Sequence, residues 1–419
     1  MRVLLVGARG FIGRHLMPAL LAAGHEVVAT ARRPPATSDI PGLRWQALDL
    51  TQPEAFEWPA AIDVLINAAG ALSDDQALLH ATQALGPQAL FQSAAAHGAR
   101  ILQVSALGAG NQADVPFLTS KAQADQAALA QPSAVVLRPS LVIGPGGASS
   151  EWLARLAALP LVPVWSRTAR LQPVHIDDLL GAILALLRQW PSENRVFDVV
   201  GPQALTQAQL IGLLGQAQGR QPPRALGIPR LLGRVLAPLA RRWDWPVCSG
   251  QLSRMARRDN LGDPEPLVEA VGYRPLALAS RLHTWPRAGE TSSAWLRPAA
   301  LAVLALIWLG TALVCLGPGF DWGLRIMAEF GVEGWRASLA VVAGALLDGL
   351  LGIGLLRRRW RRRALHAQIA LMLVYMLLIS LRLPYYWADP FMAVGKNLPI
   401  LLLSLWLLAG EPRGGKDAE

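Results

Sequence analysis

The sequence contains little cysteine and little tyrosine. Its two cysteines, Cys248 and Cys315, stand far apart among 419 residues and fit no metal or redox spacing, which excludes a disulfide framework and predicts no metal site. Four tyrosines leave few candidates for chemistry that needs a phenol. The apolar run from Arg2 to Val6 is too short for a signal peptide, so we expect the N-terminal part to stay in the cytoplasm.

Acidic residues are outnumbered by basic ones. The 39 lysines and arginines exceed the 29 aspartates and glutamates, which gives a net charge of +10 at pH 7. No basic and aromatic motif typical of RNA or DNA binding is present, and much of the excess charge lies in one arginine-rich block, residues 357–363. We therefore expect the lipid bilayer, and no nucleic acid, as the partner of this charge.

Apolar residues are unevenly distributed along the chain. Residues 1–286 mix short apolar runs with charged residues, as an α/β domain does, and residues 144–283 within them are expected to form a small substrate lobe. Residues 287–294 are polar and predict a linker. Apolar runs of membrane-spanning length dominate residues 295–410, and residues 411–419 form a polar tail.

The C-terminal part holds four apolar segments, each close to the ~20 residues that cross a bilayer as a helix. The arginine-rich block separates the second from the third, and such a block stays on the cytoplasmic side of a membrane. Four crossings then place the N-terminal domain and the tail in the cytoplasm, in a membrane of the bacterial inner (plasma) type. The pattern predicts an all-α four-helix transmembrane bundle from segments 295–316, 335–356, 364–381 and 390–409.

Two ionisable residues lie inside these segments. Asp348 is near the middle of the second segment and Lys396 is within the fourth. Regular helices separate the two in depth by roughly 10 Å, which a long lysine side chain shortens. Ionisable residues at membrane depth are candidates for function, and we expect Asp348 to face the bundle interior. Close helix packing through neighbouring glycines is the alternative explanation of the second segment, and a lysine side chain that extends to the outer membrane interface is the alternative for Lys396.

A glycine-rich turn follows the first apolar strand. The strand from Arg2 to Val6 runs into the pattern G-x-x-G-x-x-G at residues 7–13, and a predicted helical stretch follows at residues 14–21. Such glycines let the backbone approach a pyrophosphate, and the N–H groups at the helix start attract negative charge. The pattern predicts a dinucleotide site on a Rossmann-like, doubly wound parallel sheet; a turn without a ligand is the alternative. The candidate cofactor residues of this turn are Gly7, Arg9, Gly10, Phe11, Ile12 and Gly13.

The end of the second predicted strand, residues 26–31, carries arginines. An acidic residue there would hold the ribose diol of NAD(H), whereas Arg32 and Arg33 suit a 2′-phosphate, and Arg9 adds a third cation. The sequence therefore favours NADP(H) over NAD(H). The alternative is that both strand-end arginines are solvated loop residues.

Two further strands end in candidate ligand-binding residues. One strand covers residues 43–48 and the other residues 64–66. Open α/β sheets bind ligands at the carboxyl ends of their strands, so the residues that follow are expected to line the cofactor site. These residues are Asp49, Leu50, Asn67, Ala68, Ala69 and Gly70.

An ordered set of motifs covers the first two-thirds of the chain. G-A-R-G-F-I-G, D-L, N-A-A-G, a strand ending in Ser105, a helix with Lys121, and the motif L-R-P-S containing Pro139 follow in that order. This order resembles the extended and atypical short-chain dehydrogenases/reductases, and within them the branch of the NADPH-binding accessory subunit of respiratory complex I. The C-terminal segments are similar to the DoxX-like membrane domain. The resemblance implies cofactor contacts from Lys121 and Pro139.

The catalytic positions of that family are only partly retained. The family uses a tyrosine four residues before a lysine, with a serine upstream: the tyrosine transfers the proton, and the lysine holds the ribose. Ser105 and Lys121 align with the serine and lysine, but Phe117 occupies the tyrosine position, and a phenyl ring transfers no proton. Ser105, Thr119 or a bound water remain as proton relays. Lys121 as an exposed helix residue and Ser105 as a turn residue are the alternatives.

Other polar residues of the N-terminal part have structural explanations. His175 is expected to be a packed or capping histidine, and Asp177 with Asp178 to form the N-cap of a helix that runs to Leu187. Residues 231–243 form a basic amphipathic stretch, which predicts either a helix on an anionic bilayer surface or a lid helix on the lobe.

Three functional hypotheses follow. The first is a membrane-anchored NADP(H)-dependent oxidoreductase that acts on a hydrophobic or membrane-resident substrate, and the retained Ser105 and Lys121 favour it. The second is a non-catalytic NADP(H)-binding assembly or sensor protein that recruits a membrane protein partner, and Phe117 favours it. A weaker third is an NAD(P)-dependent epimerase or dehydratase, because that chemistry also relies on the missing tyrosine.

Overall fold

The computed structural model describes residues 1–35, 39–70, 73, 75–227, 250–284, 288–388, 392, 394–409 and 411. The chain forms two compact units, Met1–Ala288 and Gly289–Glu419. The predictions for the amphipathic stretch 231–243 and for tail residues 412–419 lie outside the described residues. Residues 288–294, which were expected in a linker, are helical and continue into the first apolar helix.

A seven-stranded parallel sheet organises the first unit. Its strand order is β11-β6-β5-β4-β1-β2-β3, and every neighbouring pair is parallel. The order reverses between β1 and β4, which is where open α/β sheets leave a ligand crevice. This confirms the doubly wound sheet. The strands of the unit are β1 (Arg2–Val6), β2 (Glu26–Ala31), β3 (Leu43–Ala47), β4 (Val64–Asn67), β5 (Arg100–Val104), β6 (Ala134–Pro139), β7 (Val142–Ile143), β8 (Leu161–Val164), β9 (Arg170–Leu171), β10 (Val174–His175), β11 (Arg195–Val199), β12 (Leu205–Thr206) and β13 (Arg224–Gly227).

Both faces of this sheet are buried. Side chains alternate between the faces of a strand, so Val3 and Leu5 of β1 join the core on one side while Leu4 and Val6 join the core on the other. A strand buried on both faces has a continuous apolar sequence, which is why β1 and β4 are recognisable from sequence. The sheet thereby fixes the strand ends at which the candidate site residues lie.

Helices cover the two faces of the sheet. Helices α1 and α6 lie on one side, and α3 and α4 on the other. The described helices of the unit are α1 (Phe11–Ala22), α2 (Gln76–His80), α3 (Gly86–Ala96), α4 (Pro116–Leu129), α5 (Ala148–Leu156), α6 (Ile176–Arg188), α7 (Gln207–Ala217), α8 (Gly250–Met255), α9 (Glu265–Val271) and α10 (Leu278–Arg281).

A small lobe stands beside the sheet, as the sequence predicts. It contains three two-stranded pairs, β10 with β7, β12 with β9, and β13 with β8. Its own core comprises buried residues such as Leu153, Val162, Leu210 and Leu214, contributed by α5, β8 and α7. The lobe is therefore packed independently of the two cores that flank the large sheet.

The cap of helix α6 differs from the prediction. His175 is the N-cap and accepts the Asp177 N–H at 3.3 Å, so the prediction that Asp177 and Asp178 form the cap is wrong. Asp178 is fully buried and accepts hydrogen bonds from the Tyr273 hydroxyl at 3.0 Å and from Arg281 Nη2 at 2.6 Å. Burial, and then the Asp178 charge, raise the pKa of Tyr273 to about 12.

The second unit is helical. Its described helices are α11 (Ala288–Leu316), α12 (Phe320–Glu329), α13 (Trp335–Leu356), α14 (Arg361–Arg382) and α15 (Asn397–Ala409). Segments of 21, 22 and 22 residues in α11, α13 and α14 are long and apolar enough to cross a membrane, which confirms the first three predicted segments.

The fourth predicted segment is described as a shorter helix. A turn occupies residues 394–396, so α15 begins at Asn397 and has 13 residues, fewer than the ~20 that a crossing needs. Residues 389–391 and 393 lie outside the described residues. Four crossings are therefore not confirmed, and the sequence also did not predict α12 between the first two long helices.

Polar side chains are buried inside the helical unit. Asp348 on α13 is 7% exposed, and the described residues include no ion pair between it and Lys396. Gln368 on α14 donates from Nε2 to Ser404 Oγ on α15 at 3.0 Å. Gly352 lets α13 approach α11, because a Cβ there would lie 2.7 Å from Leu309 Cγ.

Candidate functional site

Gly7 and Gly13, at the two ends of the glycine turn after β1, have no room for a side chain. Gly7 has φ of +80°, and a Cβ on it would lie 2.8 Å from Ala69 Cα at the end of β4. A Cβ on Gly13 would overlap the Gly7 carbonyl oxygen and lie 2.7 Å from Ala8 Cα, so α1 packs directly on the turn. Gly10 closes the turn by donating its N–H to Gly7 O at 2.9 Å.

The start of α1 offers backbone donors to a ligand. Gly10 is the N-cap of α1, and no side chain among the described residues caps the helix. The ring of Phe11 packs toward Gly147 of the loop after β7, and Ile12 is partly buried against the core. A helix start with uncapped N–H groups beside glycines fits a pyrophosphate. The turn therefore has the space and the N–H donors that the pyrophosphate of a dinucleotide requires.

Three arginines meet at the end of β2. Arg9 Nη1 donates to the Arg33 carbonyl at 3.1 Å, which holds the Arg9 side chain beside the strand end, and Arg32 and Arg33 are exposed. Asp49 follows β3 and accepts hydrogen bonds from Thr51 N at 2.9 Å and Thr51 Oγ1 at 2.8 Å. These bonds, and the charge of Arg32, lower the pKa of Asp49.

The residues after β3 and β4 shape the crevice. Asn67 is fully buried, donates from Nδ2 to Gln103 Oε1 at 2.7 Å and accepts the Ala69 N–H at 3.2 Å. Its side chain thus fixes the turn that carries Ala68 to Gly70. Leu50 is approached by the start of α3, where a Cβ on Gly86 would lie 3.0 Å from Leu50 Cβ.

Lys121 joins the ends of two central strands. Helix α4 buries its side chain, which is 4% exposed, and Nζ donates to Ala69 O at 2.9 Å and to Val104 O at 3.0 Å. Burial lowers the pKa of Lys121 to about 8, and the charge of Asp125 opposes this shift. A Cβ on Gly70 would lie 3.3 Å from Nζ, so the missing side chain leaves space beside the amine.

A buried acid lies behind Lys121. Asp125 is 1% exposed and accepts Arg138 Nε at 3.0 Å. Burial raises the pKa of Asp125, and the nearby Ser105 hydroxyl and the Arg138 guanidinium work against the rise. Ser105 itself is 6% exposed and is anchored at the end of β5 by its N–H, which donates to Leu137 O at 2.7 Å. Pro139 ends β6, and its carbonyl accepts the Leu107 N–H at 2.8 Å.

Phe117 begins helix α4 at a position that the lobe contacts. Its N–H donates to Gln251 Oε1 at 2.8 Å, and Gln251 Nε2 donates to Ser73 O at 2.7 Å. Gln251 is 4% exposed. The amide of α8 therefore links the start of α4 to the loop that follows β4. Sequence reasoning missed Gln251, and its separation of 134 residues from Phe117 leaves no local signal.

A second residue missed by sequence reasoning is Gln83. It lies in a turn of π-helix, Ala81–Leu85, between α2 and α3 and is 2% exposed. Its Oε1 is 3.9 Å from the position of a Cβ on Gly70, so it faces the same space as Lys121. Turns of π-helix occur frequently at functional sites.

The predicted site residues therefore lie in two groups at the strand ends. The glycine turn, Asn67 to Gly70, Lys121 and Ser105 meet where β1, β4 and β5 end. Arg9, Arg32 and Arg33 lie together at the end of β2, and the charge of Arg32 reaches Asp49 after β3.

Two family sequence models match the chain. The NAD dependent epimerase/dehydratase family matches residues 3–199, and the DoxX-like family matches residues 305–405. These matches agree with the motifs in the first unit and with the apolar helices in the second.

Several curated proteins are similar to the first unit. A ceramide reductase of Caulobacter vibrioides is 33% identical over 192 residues, 44% of this chain and 61% of that protein. NADH dehydrogenase (ubiquinone) 1 alpha subcomplex subunit 9 of Arabidopsis thaliana is 28% identical, over 55% of this chain and 61% of its own length. The chain thus spans about three-fifths of these two relatives. A dTDP-6-deoxy-L-talose 4-dehydrogenase (NAD(P)(+)) of Kitasatospora kifunensis is 30% identical, over 62% of this chain and 90% of its length.

Solved structures show the same fold. A putative epimerase from Burkholderia cenocepacia superposes with a TM-score of 0.52 at 20% identity, covering 67% of this chain and 95% of that one. The family predicted from the motifs is confirmed, and it supports an NAD(P) cofactor. The chain belongs to the NAD-dependent epimerase/dehydratase family of extended short-chain dehydrogenases/reductases, joined to a C-terminal DoxX-like helical unit.

Proposed function

We propose that this chain is a membrane-anchored NADP(H)-dependent oxidoreductase that reduces a carbonyl group on a hydrophobic, membrane-resident substrate. One observation carries the proposal: the chain that holds the glycine turn also contains three apolar helices of 21 or 22 residues. Tethering the cofactor unit to a bilayer gives a lipid substrate a short path to it. The similarity to a protein named ceramide reductase supports a lipid as the substrate class.

The residues that would hold the cofactor follow from the geometry. Gly7, Gly10 and Gly13 would admit the pyrophosphate to the start of α1, where backbone N–H groups face it. The arginines at the end of β2 would pair with a 2′-phosphate, which favours NADP(H). When bound, the reduced nicotinamide supplies a hydride. The remaining proposed contacts are Phe11, Ile12, Asp49, Leu50, Asn67, Ala68, Ala69, Gly70, Lys121 and Pro139.

Ser105 and Lys121 are the proposed catalytic residues. Ser105 follows β5, and Lys121 on α4 reaches the end of β5 with its Nζ; there the Ser105 hydroxyl would hydrogen-bond a substrate oxygen and the Lys121 ammonium would stabilise negative charge on it. Phe117 provides no proton, and loss of a positioned acid typically slows such a reaction on the order of a hundredfold. We therefore expect a slow reductase.

The proposed topology has four crossings. The arginine-rich loop between α13 and α14, residues 357–363, would face the cytoplasm, as basic loops do. The fourth crossing would combine α15 with the residues before it. Both termini would then lie in the cytoplasm of a cell with a bacterial-type inner membrane.

The cofactor is tested by binding to the full-length protein in detergent. We expect NADPH, followed by its fluorescence, to bind more tightly than NADH. The double change Arg32→Ala/Arg33→Ala is expected to weaken NADPH binding about 10- to 100-fold, because two exposed charged contacts of about 1 kcal/mol each are lost, and to leave NADH binding unchanged. Arg195→Ala is the matched control, since Arg195 is an exposed arginine on the opposite edge strand. Equal binding of both nucleotides by the wild type would refute the preference.

Turnover is tested with carbonyl substrates of two kinds. We expect NADPH oxidation with a long-chain keto lipid in detergent micelles and none with a soluble dTDP-linked keto sugar. The opposite pattern would favour the weaker alternative, a nucleotide-sugar epimerase or dehydratase.

A second candidate function is favoured by Phe117. In this alternative the chain is a non-catalytic NADP(H)-binding protein that recruits a membrane protein partner, and the similarity to a subunit of NADH dehydrogenase supports it. Phe117→Tyr discriminates between the two. If the variant gains turnover while the wild type has none, the natural protein is a binder; if the wild type already turns over, it is an enzyme.

A further inference from the structure

The polar side chains around the ends of β4 and β5 are mostly committed to other groups. Hydroxyls on α4 donate to backbone carbonyls, the Asn67 amide is paired, and the Asp125 carboxylate accepts from an arginine. The described bonds run from Thr119 Oγ1 to Val115 O at 3.3 Å, Ser120 Oγ to Phe117 O at 2.9 Å, Asn67 Nδ2 to Gln103 Oε1 at 2.7 Å and Arg138 Nε to Asp125 Oδ2 at 3.0 Å.

Lys121 is the cation of this site that keeps an N–H donor without a described partner, and the buried Ser105 hydroxyl beside it also has no partner among the described residues. Its ammonium has three N–H donors, of which two go to Ala69 O and Val104 O. The two carbonyls hold the nitrogen at the crevice edge of the sheet, and the third N–H has no described partner. The absent side chain of Gly70, whose Cβ would lie 3.3 Å from Nζ, leaves space next to the nitrogen. A substrate oxygen placed there would meet a proton donor.

We infer that the Lys121 ammonium is the acid of this enzyme and gives its proton directly to the substrate oxygen. It would thus replace the family's proton-donating tyrosine, whose position Phe117 occupies. The inference rests on the proposed reductase function. The carbonyl carbon gains a hydride from the reduced nicotinamide, the carbonyl π pair moves to oxygen, and that oxygen forms a bond to the proton released from Nζ. The products are an alcohol and the oxidised nicotinamide, and the neutral amine regains a proton from water.

The electrostatic surroundings suit this role. Burial lowers the pKa of Lys121 to about 8, which brings the proton within reach of neutral pH, where an acid is most effective. The charged groups that face it are Asp125 on its own helix and Arg138 from β6, which is paired with Asp125. The turn after β4 and the end of β5 present the carbonyls of Ala69 and Val104, and the π-helical turn presents the neutral Gln83.

The test follows NADPH oxidation in a single turnover of the full-length protein with a keto lipid, between about pH 6 and pH 10. We expect the wild-type rate to fall tenfold per pH unit above about pH 8. Lys121→Arg keeps a positive charge that does not dissociate, so we expect a loss of about 100-fold or more in rate and no alkaline decline. Because Lys121 is also a proposed cofactor contact, NADPH fluorescence measures the loss of affinity separately, and we expect that loss to be smaller than the loss of rate. Lys121→Ala is expected to regain rate when methylammonium is added.

A second readout does not depend on turnover. Acylation of Lys121 by an amine-selective reagent, followed by mass spectrometry, is expected to titrate near pH 8. A wild-type alkaline decline that persists in Lys121→Arg, or a Lys121→Arg rate close to that of the wild type, would overturn the inference and leave the reductase function standing. A wild type that binds NADPH but reduces no keto lipid would overturn both.

Discussion

The substitution Gly13→Ala is predicted to damage the cofactor site through sterics alone. The new Cβ would overlap the Gly7 carbonyl oxygen and lie 2.7 Å from Ala8 Cα and 2.8 Å from Gly7 C, closer than the 3.0 Å that real Cβ atoms keep. All three neighbours are backbone atoms, so relief requires the start of α1 to move away from β1. Overpacking of this kind costs about 1–3 kcal/mol.

The same movement displaces the N–H groups that would meet the pyrophosphate. A tenfold change in affinity corresponds to about 1.4 kcal/mol, so we expect NADPH binding to weaken about 10- to 100-fold. Gly212→Ala is the matched control, because Gly212 is also a buried helical glycine and its Cβ would lie 3.5 Å from Pro222 Cβ, an ordinary contact. There we expect a gain of about 0.5–1 kcal/mol in stability.

Both variants are assayed as full-length protein in detergent. NADPH fluorescence reports binding, and thermal melting reports stability. Wild-type NADPH affinity in Gly13→Ala would refute the steric argument, whereas equal destabilisation by both substitutions would show that helical glycines matter here for reasons other than space.

Three further changes test other parts of the molecule. Asp178→Asn removes the charge that pairs with Arg281 in a buried site, so we expect a loss of about 3 kcal/mol in the free energy of unfolding, measured by denaturant titration. Gln251→Leu leaves the Phe117 N–H without its acceptor, which costs about 1–3 kcal/mol and is expected to raise the KM of the lipid substrate. Asp348→Leu removes a carboxylate whose Oδ1 has no hydrogen-bond partner among the described residues, so we expect a higher melting temperature of the full-length protein.

For each of these three predictions, one outcome would contradict the reasoning. Unchanged stability in Asp178→Asn would mean that Arg281 finds another partner without cost. A Gln251→Glu variant keeps the acceptor, so an equal effect from Glu and Leu would exclude the hydrogen bond as the cause. A lower melting temperature in Asp348→Leu would show that the carboxylate supports the bundle.

Local patterns predicted most of the sheet. Strand β1 and the turn after it could be predicted from residues 2–13 alone. A strand buried on both faces must be apolar, and the crowded positions of the turn must be glycine. Arg32 and Arg33 could be placed at the end of a strand because the run of residues 26–31 that precedes them predicts where β2 ends. Contacts between distant parts of the chain were not predictable in this way.

Gln251 and Asp178 show what sequence reasoning missed. Gln251 meets Phe117 across 134 residues, and its position depends on how the lobe folds back. Asp178 follows a histidine and another acid at a helix start, a context typical of capping, yet burial and two distant partners determine its role. The length of α15 was also overestimated, because an apolar composition does not locate the turn at residues 394–396.

The Asp178 ion pair also fixes the C-terminal part of the first unit. Arg281 ends α10, and Asp178 lies on α6, a helix that packs on one face of the large sheet. The two residues are 103 positions apart in the sequence, so a charged contact, and not apolar packing alone, joins the last part of the unit to the helices that cover the sheet.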